Sequence, residues 1–146
     1  MTKAVLLDTS VLIHDPTSMT SFGDDTEVLI PIYVIMELDV LKDTPKREKS
    51  HVAHLARQAS NLILELQPEG KVKVVSHDGE ISIRSLDRAN QIRYVDLLIL
   101  QTAIHIKDDY DLTLISRDIN LRIICESVGI KSEDYTSDTS MDTLSG

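Results

Sequence analysis

AVLLDTSVLIHDP, residues 4–16, is the stretch on which the fold of this 146-residue chain turns. Its first four residues are apolar without alternation, the pattern of a short strand covered on both faces. The run ends directly in an acid, Asp8. Thr9 or Ser10 can then cap a short helix through Val11, Leu12 and Ile13. Asp15-Pro16 breaks that helix, because the residue before proline is pushed out of the helical region.

The same grammar repeats outward. After a polar stretch read as loop with one helical turn, residues 27–30 (EVLI) form a second strand. Pro31 suits the first turn of a helix over 32–41, with Val34, Leu38 and Leu41 on one face. KDTPK at 42–46 is a loop. The clearest helix covers 52–66, where Val52, Leu55, Ala56, Ala59, Leu62, Ile63 and Leu66 recur at three and four residues. Pro68 and Gly70 end it. Residues 71–75 (KVKVV) read as a third strand, and 76–91 as a polar, variable surface segment. A helix begins near Tyr94 and runs through Leu97, Leu98, Leu100, Ala103 and Ile104. LTLI at 112–115 is a fourth strand. A last helix carries Leu121, Ile124, Cys125 and Val128 on one face and stops at Gly129.

Strands alternating with helices predict a three-layer α/β/α domain around a central parallel sheet. It is expected over residues 1–135, with a Ser-, Thr- and Asp-rich tail or linker at 136–146. At 42% apolar and 3% aromatic residues, with no Trp, the core must rest on Leu, Ile and Val. The single cysteine, Cys125, excludes an internal disulfide framework and fits a reducing cytoplasm. No apolar run approaches the roughly 20 residues that cross a bilayer, and no signal peptide is read at the N-terminus.

Four acids stand where strands end or helices begin: Asp8, Glu37, Asp96 and Asp118. In a parallel sheet, ligands bind beyond the carboxyl ends of the strands, and all four can reach that crevice. Converging carboxylates are hard oxygen ligands for divalent cations. Two such ions about 4 Å apart activate water and neutralise charge in phosphodiester hydrolysis. Without a cation, four like charges would repel and some pKa values would rise. Each acid also has a plainer role open to it. Asp8 and Asp118 can be helix N-caps, Asp96 a first-turn acid favoured by the helix dipole, and Glu37 a solvated helix residue. Their joint placement is what points to a metal-dependent phosphodiesterase.

The segments VLLDTSVLIHDP, IPIYVIMELDVLK, AHLARQA, DLLIL and LISRDINLRIICESVGIKSEDY, in this order, resemble the PIN domain family. The match is closest to the PIN domain at the N-terminus of PhoH-like ATPases. The resemblance covers most of the chain outside residues 76–94. It implies a Rossmann-like sheet of order 3-2-1-4-5 and a metal-dependent ribonuclease. It further implies that Asp8, Glu37, Asp96 and Asp118 bind Mg²⁺ or Mn²⁺ and that single-stranded RNA is cut through a metal-bound water. Thr9 and Ser116 match supporting positions, and the Ser116 hydroxyl is expected to orient a carboxylate or phosphate. Ser10 stands where the family commonly has Asn, and Asp96 is flanked by Tyr94, Val95, Leu97 and Leu98 where a polar neighbour is usual.

Arg117 and Arg122 flank Asp118 and are candidate contacts for substrate phosphate, with pairing to surface acids as the plainer role. Arg57 is read as a structural salt bridge, His14 as a loop-packing residue and Cys125 as a buried small hydrophobe. His51 and His54 lack the further ligands that a zinc site needs. The net charge of −9 sits awkwardly with a nucleic-acid partner. Bound cations would reverse the sign locally. Basic clusters at Lys46, Arg47 and Lys49 and at Arg84, Arg88 and Arg93 break the acidic surface. Further expected partners are an ATPase domain in cis or trans and a second copy of the chain, with no membrane. No GxxxxGK[ST] loop is present to bind ATP. The alternative to a ribonuclease is a catalytically weak PIN-fold module for RNA binding or oligomerisation. A DNA-directed nuclease is a third reading.

Overall fold

A computed structural model describes residues 1–45, 51–76 and 91–136. In chain order the elements are β1 (Lys3–Leu7), α1 (Thr9–His14), a 3₁₀ helix (Pro16–Thr20), β2 (Thr26–Pro31), α2 (Ile32–Leu41) and α3 (Val52–Leu66). Then come β3 (Lys73–Val75), α4 (Gln91–Ile106), β4 (Asp111–Ile115), α5 (Ile119–Ser127) and β5 (Lys131–Glu133). The five strands make one sheet, ordered β3-β2-β1-β4-β5. Every pairing is parallel. With helices on the sheet this is the expected α/β/α architecture and strand order.

The hydrophobic pattern explains the order. β1 takes the centre because Ala4 to Leu7 are all but inaccessible to solvent, so both faces and both edges must be covered. Lys3 to Leu6 pair with Thr26 to Leu29 on one side. Lys3 to Leu7 pair with Asp111 to Ile115 on the other. The outer strands are short and carry exposed or half-exposed lysines and a glutamate, which discourages pairing with another chain. Among the described residues Phe22 and Tyr135 are the buried aromatics of an otherwise aliphatic core.

Several local readings shift. β5, Lys-Ser-Glu, has no apolar run to betray it, and only the resemblance implied a fifth strand. β3 begins at Lys73, not at 71. The N-cap of α1 is Asp8 itself, extended at φ −90° and ψ 174°, not Thr9 or Ser10. α4 starts at Gln91, so Asp96 lies in its second turn instead of opening it. On α5 only Leu121 and Cys125 face the core, while Ile124 and Val128 are exposed. That helix is short and lies near the edge strand β5, so a narrower stripe is covered. Residues 77–90 and 137–146, and with them nearly all of the variable segment and the tail, lie outside the described residues. So do the Lys46, Arg47 and Lys49 cluster and Arg84 and Arg88.

The central strand tolerates truncation least. Leu6→Ala removes a side chain with no solvent exposure and is expected to cost about 2–5 kcal/mol of unfolding free energy. Urea denaturation of the two proteins, with an unchanged slope and a lower midpoint for the variant, checks this.

Candidate active site

The sheet order places a switch point between β1 and β4. The chain runs outward from β1 to β2 and β3, then crosses back to β4 and continues to β5. The connections leaving β1 and β4 therefore diverge, opening a crevice at the carboxyl ends of the strands. Asp8 comes directly after β1, and Asp118 comes three residues after β4. Glu37 projects from the second turn of α2, the helix that β2 feeds, and Asp96 from the second turn of α4.

Asp8 is the fixed point. It is buried, at 4% exposure, so each oxygen needs a partner. The Ser10 hydroxyl donates to Oδ1 at 2.6 Å, and the Val11 backbone N–H reaches the same oxygen at 3.4 Å. The Ser116 hydroxyl, from the far side of the crevice, donates to Oδ2 at 2.6 Å. Both hydroxyls also accept. Ser116 Oγ takes the backbone N–H of Asp118 at 2.9 Å, and Ser10 Oγ takes that of Arg117 at 3.0 Å. Two serines thus stitch the segment after β4 to the segment after β1. Asp118 caps α5, with Oδ1 accepting from Asn120 N–H at 2.9 Å and Leu121 N–H at 3.4 Å. The capping roles of Asp8 and Asp118 are real, and each cap bond engages Oδ1 alone.

The electrostatics tie the four acids together. Burial pushes the Asp8 carboxyl above its ordinary range, against the hydrogen bonds from Ser10, Ser116 and Val11, and Asp118 raises it further. Burial also raises Glu37, with a smaller push from Asp8. The Thr9 hydroxyl opposes this, although the buried Thr9 Oγ1 completes no hydrogen bond of ordinary geometry. Asp96 is raised to about 7, first by burial and then by Asp118, Asp8 and Glu37 in turn. One half-buried carboxyl therefore feels all three others. Even the Cys125 thiol, raised to about 11 mainly by burial, registers Asp8 and Asp96.

Hard carboxylate oxygens, a neighbouring orphan hydroxyl and a charge excess that one carboxyl relieves by keeping its proton form a donor set that fits Mg²⁺ or Mn²⁺. The arrangement is not that of a closed cage. Among the described residues no group of three His, Cys, Asp or Glu side chains is already set to hold a metal ion. A cavity of about 660 Å³ lies elsewhere, beside β2 and β3, lined by Phe22, Thr26, Val28 and Lys71 among others and by none of the four acids.

The two flanking arginines diverge. The Arg117 guanidinium donates to the Tyr135 carbonyl at 3.0 Å. Arg122 lies 4.0 Å from Asp134, with its Nε buried and without a partner. Arg57 donates to the Lys42 carbonyl at 2.8 Å, and among the described residues it forms no salt bridge. Ser10 is the site residue that pattern reading passed over. The signal was present in a small hydroxyl two positions after a buried acid, which can bond back to it.

Known proteins resemble this chain in sequence or in fold. A profile of the PIN domain matches residues 5–136, and the chain belongs to the PIN domain family, whose members are generally nucleases. It is 31% identical to Protein PhoH2 of Thermobispora bispora over 92% of its own length and 32% of that protein's. It is 30% identical to Protein PhoH2 of Bacillus subtilis over 97% of its length and 35% of the relative's. It therefore spans about a third of these curated relatives. A domain of a functionally unknown protein from Methanocaldococcus jannaschii shares the fold, with a TM-score of 0.63 and 18% identity over 92% of this chain and 91% of that one. No helix among the described residues is long and apolar enough to cross a membrane.

The raised carboxyls fix the sign of a pH effect. A folded-state pKa above the unfolded value means that the native protein binds more protons between the two. Stability then falls as pH rises through that window, which for Asp96 runs from about 4 to about 7. Thermal melts in EDTA are expected to show a declining midpoint from pH 5 to pH 8. Asp96→Asn is expected to flatten that decline and to melt higher than the parent at pH 8. A parent midpoint that climbs over this range, or an Asn variant that declines as steeply, contradicts the assignment.

Proposed function

We propose that the chain is a divalent-metal-dependent endoribonuclease domain that hydrolyses phosphodiester bonds of single-stranded RNA. Asp8, Glu37, Asp96 and Asp118 would hold Mg²⁺ or Mn²⁺. The observation that carries the reading is the coupling of Asp96 to the other three acids, each from a different part of the chain, which helps to raise its carboxyl to about 7. Like charges gathered this way disfavour folding unless a cation offsets them, and a structural role alone does not call for the gathering. When bound, the metal would polarise the scissile phosphate and lower the pKa of the attacking water.

The protein's own groups have distinct parts in this scheme. Asp8, locked by Ser10 and Ser116, offers a carboxylate whose orientation is set before anything binds. Asp118 is held by the α5 cap and by its backbone bond to Ser116. Glu37 and Asp96 are less constrained and suit the task of completing the coordination and accepting a proton from water. Arg122, whose Nε has no partner, remains the better of the two arginines for a phosphate contact. The lone buried thiol fits a reducing cytoplasm. An ATPase domain in cis or trans would be a partner, a reading that the likeness to the PhoH2 proteins supports. Residues 1–135 would be the nuclease unit and 136–146 a linker.

A second reading, a PIN-fold RNA-binding or oligomerisation module with little catalysis, has one observation in its favour: among the described residues no three acids are pre-set around an ion. Labelled single-stranded RNA and DNA incubated with the protein in Mn²⁺, Mg²⁺ or EDTA separate the readings. Metal-dependent cleavage of RNA is expected, and Asp8→Asn is expected to lower its rate by at least about 100-fold, as loss of a principal charge-stabilising group does. Retention of RNA without cleavage in any cation supports the module, and equal cutting of DNA makes the enzyme a general nuclease.

A further inference from the structure

Tyr135 closes the end of the domain against its beginning. It is 2% exposed, with its ring edge-on to His14 at 6.3 Å and tilted on Phe22 at 6.1 Å between centroids. Its hydroxyl donates to Asp15 Oδ2 at 3.0 Å. The other Asp15 oxygen accepts from the Thr17 N–H at 3.0 Å and the Thr17 hydroxyl at 2.6 Å. Asp15 both ends α1 and caps the 3₁₀ helix, so Tyr135 is tied to the joint between them. Its carbonyl in turn receives the Arg117 guanidinium.

Arg117 is thus gripped at two ends. Its side chain is held by Tyr135, and its backbone N–H by the Ser10 hydroxyl that donates to Asp8. Residue 117 belongs to the short irregular segment between β4 and α5, which the Ser116 N–H ties to the Glu133 carbonyl at 3.0 Å and the Asp118 cap ties to α5. Asp118, the next residue, repels Asp8 across the crevice, and the Arg117 side chain adds a further hold on that segment.

We propose that Arg117 and Tyr135 form a brace that sets the separation of Asp8 and Asp118, making Arg117 a positioning residue and not a contact for substrate phosphate. The inference rests on the nuclease reading only in naming those two carboxylates as part of the site. The brace draws on residues far apart in sequence, and it links the end of the folded domain to the acids that would hold the metal.

The test compares the parent with Arg117→Met, Arg117→Lys and Tyr135→Phe. Tyr135→Phe keeps the buried ring and loses the hydroxyl with its bonds to Asp15 and Ser21, so it stands in if Arg117→Met folds poorly. Amide hydrogen exchange in metal-free buffer is read by NMR at Asp118, and at Leu6 and Leu114 as core references. The brace predicts faster exchange at Asp118 in Arg117→Met and Tyr135→Phe, with the references unchanged and Lys restoring part of the protection. Calorimetric titration with Mn²⁺ is expected to show affinity weakened about 10-fold in Arg117→Met, the effect of losing an outer partner of metal ligands, and partly regained with Lys. Asp118 exchange equal to the parent's in both Arg117→Met and Tyr135→Phe overturns the brace. So does faster exchange with unchanged Mn²⁺ affinity. A parent that takes up no Mn²⁺ defeats the nuclease reading, while the exchange comparison still decides the brace.

Discussion

The structure is organised around a carboxylate that the sheet buries. β1 is apolar to its last residue, and parallel strands lie on both sides of it, so the next side chain is delivered into the interior of the switch point. That side chain is Asp8. An isolated anion there would be costly by several kcal/mol, and the local sequence answers the cost with hydroxyls. Ser10 serves one oxygen from the same segment, and Ser116 serves the other from across the crevice. Because each hydroxyl also accepts a backbone N–H, solvating Asp8 and fixing the loop that carries Asp118 become one act. The fold thereby makes a rigid anionic corner and surrounds it with looser acids.

That division of labour accounts for the absence of a preformed cage among the described residues. A carboxylate locked by three donors cannot also turn freely toward a cation, and the remaining acids repel one another until charge is supplied. Asp96, half-buried and coupled to three neighbours, responds by holding its proton near neutrality. Flanked in sequence by Val95 and Leu97, this acid owes the rise first to burial. The same excess of negative charge contributes to the net −9 of the chain.

Much of this was legible in the residues. Largely apolar runs, unbroken in β1, marked β1, β2 and β4 because strands in the middle of a parallel sheet bury both faces. The regular stripe over 52–66 marked α3, since a 3.6-residue period has no other cheap explanation. The four acids stood out by position. β5 did not, because an edge strand needs no apolar side chains and its polar Lys-Ser-Glu looks like any turn. The exposed isoleucines of α5 were equally opaque, as periodicity gives the face of a helix without saying how wide a stripe is covered.

Contacts between distant segments lay beyond the residue pattern itself. Ser116 meets Asp8 across 108 residues, a role for its hydroxyl that only the resemblance implied, and Tyr135 meets Asp15 across 120, which nothing implied. No local pattern encodes such pairs, because each partner is locally unremarkable: a serine after a strand, a tyrosine near the end of the domain. Arg117 makes the point most sharply. Beside an acidic residue it invited two readings, substrate contact or surface ion pair, and its guanidinium instead satisfies a backbone carbonyl. A carbonyl acceptor is invisible in a sequence, since every residue carries one. In a site built from several chain segments, the residues that bear charge can be read from the string, whereas those that hold the segments in register emerge only once the chain is folded.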